Sequence, residues 1–174
     1  RQYPASVFML TNAVGPHRLA EACDAVGARL IHVSTDCVFQ RPGPHSEIER
    51  PDAADVYSRS KYAGEIYLMP HLTIRTSFVG FGVRGLIADL QSGKPVHAST
   101  PPAWSGHTVD TVADVLIMLA ERPNVMGLLH IPGEFQSRYE LCMTLSAYLM
   151  CGAQIVRDNE FVADRRLVSV MWDA

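Results

Sequence analysis

The sequence predicts an α/β fold built on a doubly wound parallel sheet, and three observations carry that prediction. Short β-branched runs recur at Leu30–Val33, Leu72–Thr76 and Leu128–Ile131. Helical patterns alternate with them, and parallel strands need helical crossovers of this kind. The 174 residues are 48% hydrophobic and 19% charged, enough apolar material for a sizeable core in one domain-length chain.

In chain order, apolar residues at helical spacing (Phe8, Leu10, Val14, Leu19, Ala22, Cys23) predict a helix over Ala5–Val26, with Gly27 as its stop. The strand at Leu30–Val33 follows at once and ends in Ser34-Thr35-Asp36, at the carboxyl end where open α/β sheets place ligand chemistry. Residues 40–55, rich in Pro, Gly, Glu and Asp, read as a surface loop with Glu47 and Glu49 as solvated charges. Asp55 is placed to cap the next helix, which carries Tyr57, Lys61, Ala63 and Ile66 and closes at Pro70. A short helix at Arg84–Gln91 follows the Leu72–Thr76 strand, then an irregular stretch from Ser99 to Gly106. Helices at Val109–Glu121 and Tyr139–Leu149 flank the last strand, and a polar tail is expected after Gly152. No internal repeat or linker interrupts this order.

A formal net charge of -3 gives no electrostatic case for nucleic acid or for an anionic membrane surface. No run approaches the roughly 18 apolar residues of a membrane span. Cys23, Cys37, Cys142 and Cys151 show no metal-ligand spacing and read as thiols of a reducing cytoplasm. The histidines share no metal spacing either, so no metal site is expected.

Tyr57 and Lys61 stand four apart and share a helix face. A phenol of pKa about 10 is a poor acid or base near neutrality. An ammonium one turn away favours the phenolate and makes Tyr57 a usable general acid and base, while Lys61 also suits ribose hydroxyls. Thr35, or failing it Ser34, is placed to hydrogen-bond a substrate carbonyl. The trio suits hydride transfer to or from a carbonyl, with a nicotinamide carrying the hydride.

VSTDCVF followed by YSRSK and Gly64-Glu65 resembles the extended short-chain dehydrogenase/reductases, in the sugar-nucleotide-binding branch typified by dTDP-4-dehydrorhamnose reductase. The resemblance continues through Asn12–Pro16, Leu19–Cys23, Ile74–Ser77, Ser105–Thr108, Gly127–His130 and Asp164–Leu167, so it covers nearly the whole chain. It implies a Rossmann-like sheet, with residues 1–82 as the second half of the dinucleotide-binding domain and 83–174 as a substrate-binding region interleaved with the last sheet elements. It also implies an NAD or NADP cofactor, a nucleotide-sugar substrate, a role in making surface polysaccharides, and a homodimer paired through Ala5–Val26 and Val56–Leu68. Carried over by position, it makes Thr35, Tyr57 and Lys61 catalytic and adds Asn12, Ser34, Thr76 and Ser77 to the cofactor site. Asp36, Trp104, Ser105 and His107 would border the substrate. The alternatives are an epimerase of the same fold or a non-catalytic binding member.

The family's opening strand, Gly-rich turn and helix, which cradle the pyrophosphate, have no counterpart in these residues. An upstream segment carrying them is expected, since the chain opens on Arg1 in what reads as the middle of a fold. Gly80-Phe81-Gly82 lacks a third glycine and reads as a loop. Cys37 stands where relatives often carry an aromatic and is expected at the pocket edge. Arg165 and Arg166 are either diphosphate ligands or a solvated pair.

Overall fold

A computed structural model describes residues 3–82, 84–160 and 162–171. Three parallel strands, β1 (Ile31–Val33), β2 (Leu72–Arg75) and β7 (Gly127–His130), form the central sheet in the order β1-β2-β7. Their register pairs Val33 with Ile74 and Arg75 with His130. Ladder bonds continue past the strand ends from Ser34 N–H to the Ile74 carbonyl (2.6 Å) and from Asp36 N–H to the Thr76 carbonyl (3.3 Å). The tip carrying Thr35 is thereby fixed to its neighbour strand.

The first helical stretch runs as α1 (Ala5–Met9), a π-helical turn over Leu10–Val14 and α2 (Gly15–Ala25), ending at Gly27 with φ 68°. That left-handed geometry suits a glycine. Only Ala13 and Ala20 are buried along it, while Leu10, Val14 and Leu19 stay exposed. The apolar stripe read from the sequence therefore covers little of the core described here. α3 (Val56–Ala63) is capped as expected, Asp55 accepting the Ser58 N–H at 3.0 Å. Gly64 ends it against the π turn, where a Cβ would lie 1.8 Å from the Asn12 carbonyl oxygen, so only glycine permits this approach.

After β2 come β3 (Phe78–Val79), α4 (Leu86–Gln91), β4 (Val96–Ala98), β5 (Pro102–Trp104) and β6 (His107–Thr108). α5 (Val109–Ala120) leads into β7, which is followed by β8 (Gln136–Ser137), α6 (Arg138–Tyr148) and β9 (Ile155–Arg157). α5 packs Val115, Leu116 and Leu119 onto Leu72, Ile74 and Leu129 of the sheet. A second cluster joins α4, α6 and β4 through Leu90, Val96, Ala98 and Cys142.

Two stretches correct the sequence reading. Within Ser99–Gly106, β5 pairs antiparallel with β8, and beyond Gly152, β9 pairs parallel with β4. Strands of two or three residues owe their existence to such partners and carry too little local pattern to be seen. Residue 161 and residues 172–174 of that tail lie outside the described residues. The two loop glutamates are also not merely solvated. Glu47 accepts the N–H groups of His130 (2.8 Å) and Val170 (3.0 Å) and the Ser169 hydroxyl (2.6 Å). The Ser46 N–H, with His45 and Arg41 beside it, holds Glu49 down to about 2. All four cysteines are free thiols. Among the described residues no helix is long and apolar enough to cross a membrane, and no cluster of metal-ligating side chains occurs.

Candidate active site

The site grows from the tip of β1 and the first two turns of α3. Thr35 caps a short 3-10 turn (Asp36–Val38), its hydroxyl accepting the Cys37 N–H at 3.1 Å. Tyr57, in the first turn of α3, lies beside the tip carrying Thr35, Asp36 and Cys37, while its ring meets Phe8 edge-on at 6.3 Å. Lys61, one turn on, donates from Nζ to the Val33 carbonyl at 2.7 Å. Strand tip and helix thus bring Thr35, Tyr57 and Lys61 together.

The electrostatics differ from the sequence expectation in one respect. Tyr57 is not driven towards phenolate by Lys61: burial, with the neighbouring Cys37 and Asp36, pushes its pKa above the ordinary value against the pull of the Thr35 hydrogen bond. Burial also lowers the Lys61 pKa, and Glu65 counters part of that. The ammonium sits on a backbone carbonyl, so its field is anchored to β1 as well as to the helix.

Of the remaining cofactor candidates, Asn12 donates to the Ser60 hydroxyl at 3.1 Å and so braces α3 between Tyr57 and Lys61. Ser34 points away from Thr35 and donates to Glu65 at 2.7 Å. Glu65 is buried and held by Arg75 at 2.8 and 2.7 Å, in a bidentate pair lying beneath the strand tip. Thr76 is buried and donates to the Ile131 carbonyl at 2.9 Å. Ser77 faces the other way, into a cavity of about 610 Å³.

That cavity is walled by Asp36, Cys37, Ser77, Trp104, Arg138 and Arg165, among others. Trp104 donates from its indole N–H to the Ser77 hydroxyl at 2.8 Å, and Gly106 leaves room for the ring, since a Cβ there would lie 2.1 Å from it. Ser105 is buried behind the wall and accepts the Leu167 N–H at 2.8 Å. His107 is not among the lining residues; its backbone N–H donates to the Ser77 carbonyl at 3.0 Å and its Nε2 has no partner among the described residues. The two late arginines part company. Arg166 pairs with Asp164 at 2.8 Å, whereas Arg165 borders the cavity and donates to the Cys37 sulfur at 3.1 Å. Sequence reasoning missed Arg138, His97 and Asp158 on the wall. The Ser137–Glu140 capping box, a sequence-readable signal, marks Arg138 as the first residue of α6.

Residues 6–151 match the family described as RmlD substrate binding domain. The dTDP-4-dehydrorhamnose reductase of Mycobacterium tuberculosis is 41% identical over 90 residues, 46% of this chain and 30% of that protein. The Escherichia coli protein of the same name is 31% identical over 137 residues, 70% of this chain and 46% of its own length. Among solved structures, a hypothetical dTDP-4-dehydrorhamnose reductase from Sulfolobus tokodaii aligns with a TM-score of 0.75 at 26% identity, covering 90% of this chain and 61% of that one. The Bacillus anthracis enzyme in complex with NADP aligns at 0.73 with 23% identity, covering 93% and 63%. The chain therefore spans less than half the length of these two curated relatives, and it belongs to the RmlD substrate binding domain family.

Proposed function

We propose that this chain is the catalytic and substrate-binding part of a cytoplasmic NAD(P)-dependent reductase acting on a nucleotide-activated 4-keto sugar. The observation that carries the reading is the placement of Tyr57 and Lys61 on one face of α3 against the strand tip of Thr35 and Asp36, with Lys61 bound to the Val33 carbonyl and a cavity of about 610 Å³ next to that tip. The names of the similar proteins point to the same substrate class.

Tyr57 serves as general acid, passing its proton to the carbonyl oxygen as the alcohol forms, and as base in reverse. Its raised pKa keeps it protonated at neutrality, as an acid must be. Lys61 holds positive charge beside it and offers an ammonium to ribose hydroxyls. The donor set of phenol and ammonium fits a nicotinamide nucleotide, which supplies the hydride when bound. Tyr57 and Lys61 are the residues that would hold it here, with Asn12 bracing their helix. The sugar nucleotide takes the cavity. Its walls join Asp36, Cys37 and Ser77 of residues 1–82 to Trp104, Arg138 and Arg165 of residues 83–174, in keeping with the two-part division read from the sequence. Residue 83 itself lies outside the described residues. A homodimer through α1, α2 and α3 belongs to the same proposal, supported by the exposed Val7, Leu10 and Val14.

In the full-length protein, Tyr57→Phe is expected to lower kcat at least about 100-fold while the Kd for NAD(P)H stays within about threefold. Unchanged turnover would overturn the reading.

A further inference from the structure

We propose that His97 is a substrate-binding residue, its ring turned by Asp158 so that Nε2 accepts a hydrogen bond from the nucleoside end of the substrate. The inference rests on the reading of the cavity as the nucleotide-sugar site and deepens it.

The pair is built by two strands that meet only in the fold. β4 and β9 run parallel with His97 opposite Val156, and the Asp158 N–H extends their ladder to the Ala98 carbonyl at 3.0 Å. Val96 and Ala98 turn into the cluster with α4 and α6, so strand alternation puts His97 on the other face. There His97 Nδ1 lies 2.9 Å from Asp158 Oδ2, while Asp158 Oδ1 accepts the Glu160 N–H at 3.1 Å. The Glu160 N–H, and after it His97, hold the Asp158 carboxyl below its usual range. A carboxylate only accepts, so Nδ1 carries the proton. In the neutral ring the lone pair then stands on Nε2, which has no partner among the described residues.

His97 and Asp158 both line the cavity of about 610 Å³, and the two ends of that cavity differ. At one end Asp36, Cys37 and Ser77 follow β1 and β2, on the side of α3 that carries Tyr57. The carbonyl to be reduced lies there, because a general acid works at hydrogen-bond distance. A nucleotide sugar is longer than its sugar, so its diphosphate and nucleoside run on towards α6, β4 and β9. Arg138 and Arg165 offer guanidinium forks to the phosphates, and the buried Arg165 Nε has no partner among the described residues. That leaves His97 and Asp158 for the nucleoside. An acceptor held at a fixed angle takes a donor, here the ring N–H of a thymine or uracil, or a sugar hydroxyl. As a tie between strands the pair adds little, since it is exposed and ladder bonds already join β4 to β9.

The test is titration calorimetry on the full-length protein, with dTDP, dCDP and inorganic pyrophosphate as probes. His97→Ala is expected to weaken dTDP binding about tenfold while pyrophosphate stays within about twofold. Asp158→Asn should weaken dTDP about threefold, and the double variant should fall within about twofold of His97→Ala, because Asp158 acts through the ring. In turnover of a nucleoside-diphospho-4-keto sugar with NADPH, His97→Ala should raise KM about tenfold and leave kcat within about threefold. Its melting temperature should hold within about 2 °C, since the side chain is exposed. dCDP lacks the ring N–H and keeps the sugar hydroxyl, so a loss confined to dTDP assigns the base and a loss shared with dCDP assigns the sugar. A loss shared by pyrophosphate, or losses that multiply across the double variant, would overturn the proposal. Tight dTDP binding untouched by His97→Ala overturns this inference alone. A parent protein that binds neither nucleotide overturns the nucleotide-sugar reading along with it.

Discussion

Ser34 and Thr35 are neighbours on one strand tip, and each hydroxyl is given to a buried carboxylate, yet the two carboxylates are held in opposite ways. On the inner side Ser34 meets Glu65, which Arg75 grips with two hydrogen bonds of 2.8 and 2.7 Å. Arg75 is itself 1% exposed, lies over the Phe39 ring at 5.3 Å and approaches His130 at 3.3 Å. On the cavity side Thr35 donates to Asp36 at 3.1 Å, and Asp36 lines the cavity that Arg165 also borders. A guanidinium fork fixes a carboxylate in one geometry. A hydroxyl proton rotates, so a carboxylate held by one keeps its place while that hydrogen bond changes direction. The inner pair fastens the tip of β1 to β2 and to the end of α3; the outer one leaves the chemistry adjustable.

The comparison breaks most visibly at Arg75. Arg75→Met leaves Glu65 buried without its cation and is expected to cost about 3–5 kcal/mol in urea unfolding. Asp36→Asn, which keeps an acceptor among neutral donors, should cost no more than about 1–2 kcal/mol. Equal losses would mean that both carboxylates are structural.

His32 probes the inner side by pH. It lies on the same strand face as Ser34, its Nε2 has no partner among the described residues, and burial and Lys61 bring its pKa to about 4 while Glu65 pulls upward. The unfolded chain takes up this proton near pH 6.5 and the folded chain only near 4. The contribution to stability is thus complete above pH 6.5 and is lost as pH falls from there through 4. Discounted for partial exposure, it amounts to about 1–2 kcal/mol. His32→Gln should flatten the stability profile over that window, and an unchanged slope would assign it to other groups.

What the sequence made legible follows the range of the interactions. Tyr57 and Lys61 share a face because i and i+4 always do, and the three central strands announced themselves by β-branched runs. Asp36 and Trp104 line the cavity, whereas the Lys61 effect on Tyr57 did not survive burial. Hidden from sequence were features that exist only through distant pairing. Glu65 meets Arg75 because Gly64 lets α3 approach the π turn and because β2 sets the register. Glu47 looked solvated because its donors lie at His130, Ser169 and Val170, more than 80 positions away. Arg138 needed β5 and β8 to bring α6 to the cavity, and that bridge is two short strands.

The smallest expected effect separates the two sides most cleanly. Ser34→Ala removes one donor from Glu65 Oε1, which keeps its 2.8 Å bond from Arg75 Nε. A hydrogen bond to a charged but already paired group is worth about 1 kcal/mol. The loss should appear in urea unfolding of the full-length protein, with the Kd for NAD(P)H unchanged, because the hydroxyl faces Glu65 and not the side of Tyr57. A weakened Kd with unchanged stability would return Ser34 to the cofactor site that the family resemblance implies. It would also mean that the tip of β1 turns over when cofactor binds, and the division between an inner fastening and an outer, adjustable carboxylate would then describe only one state of the strand.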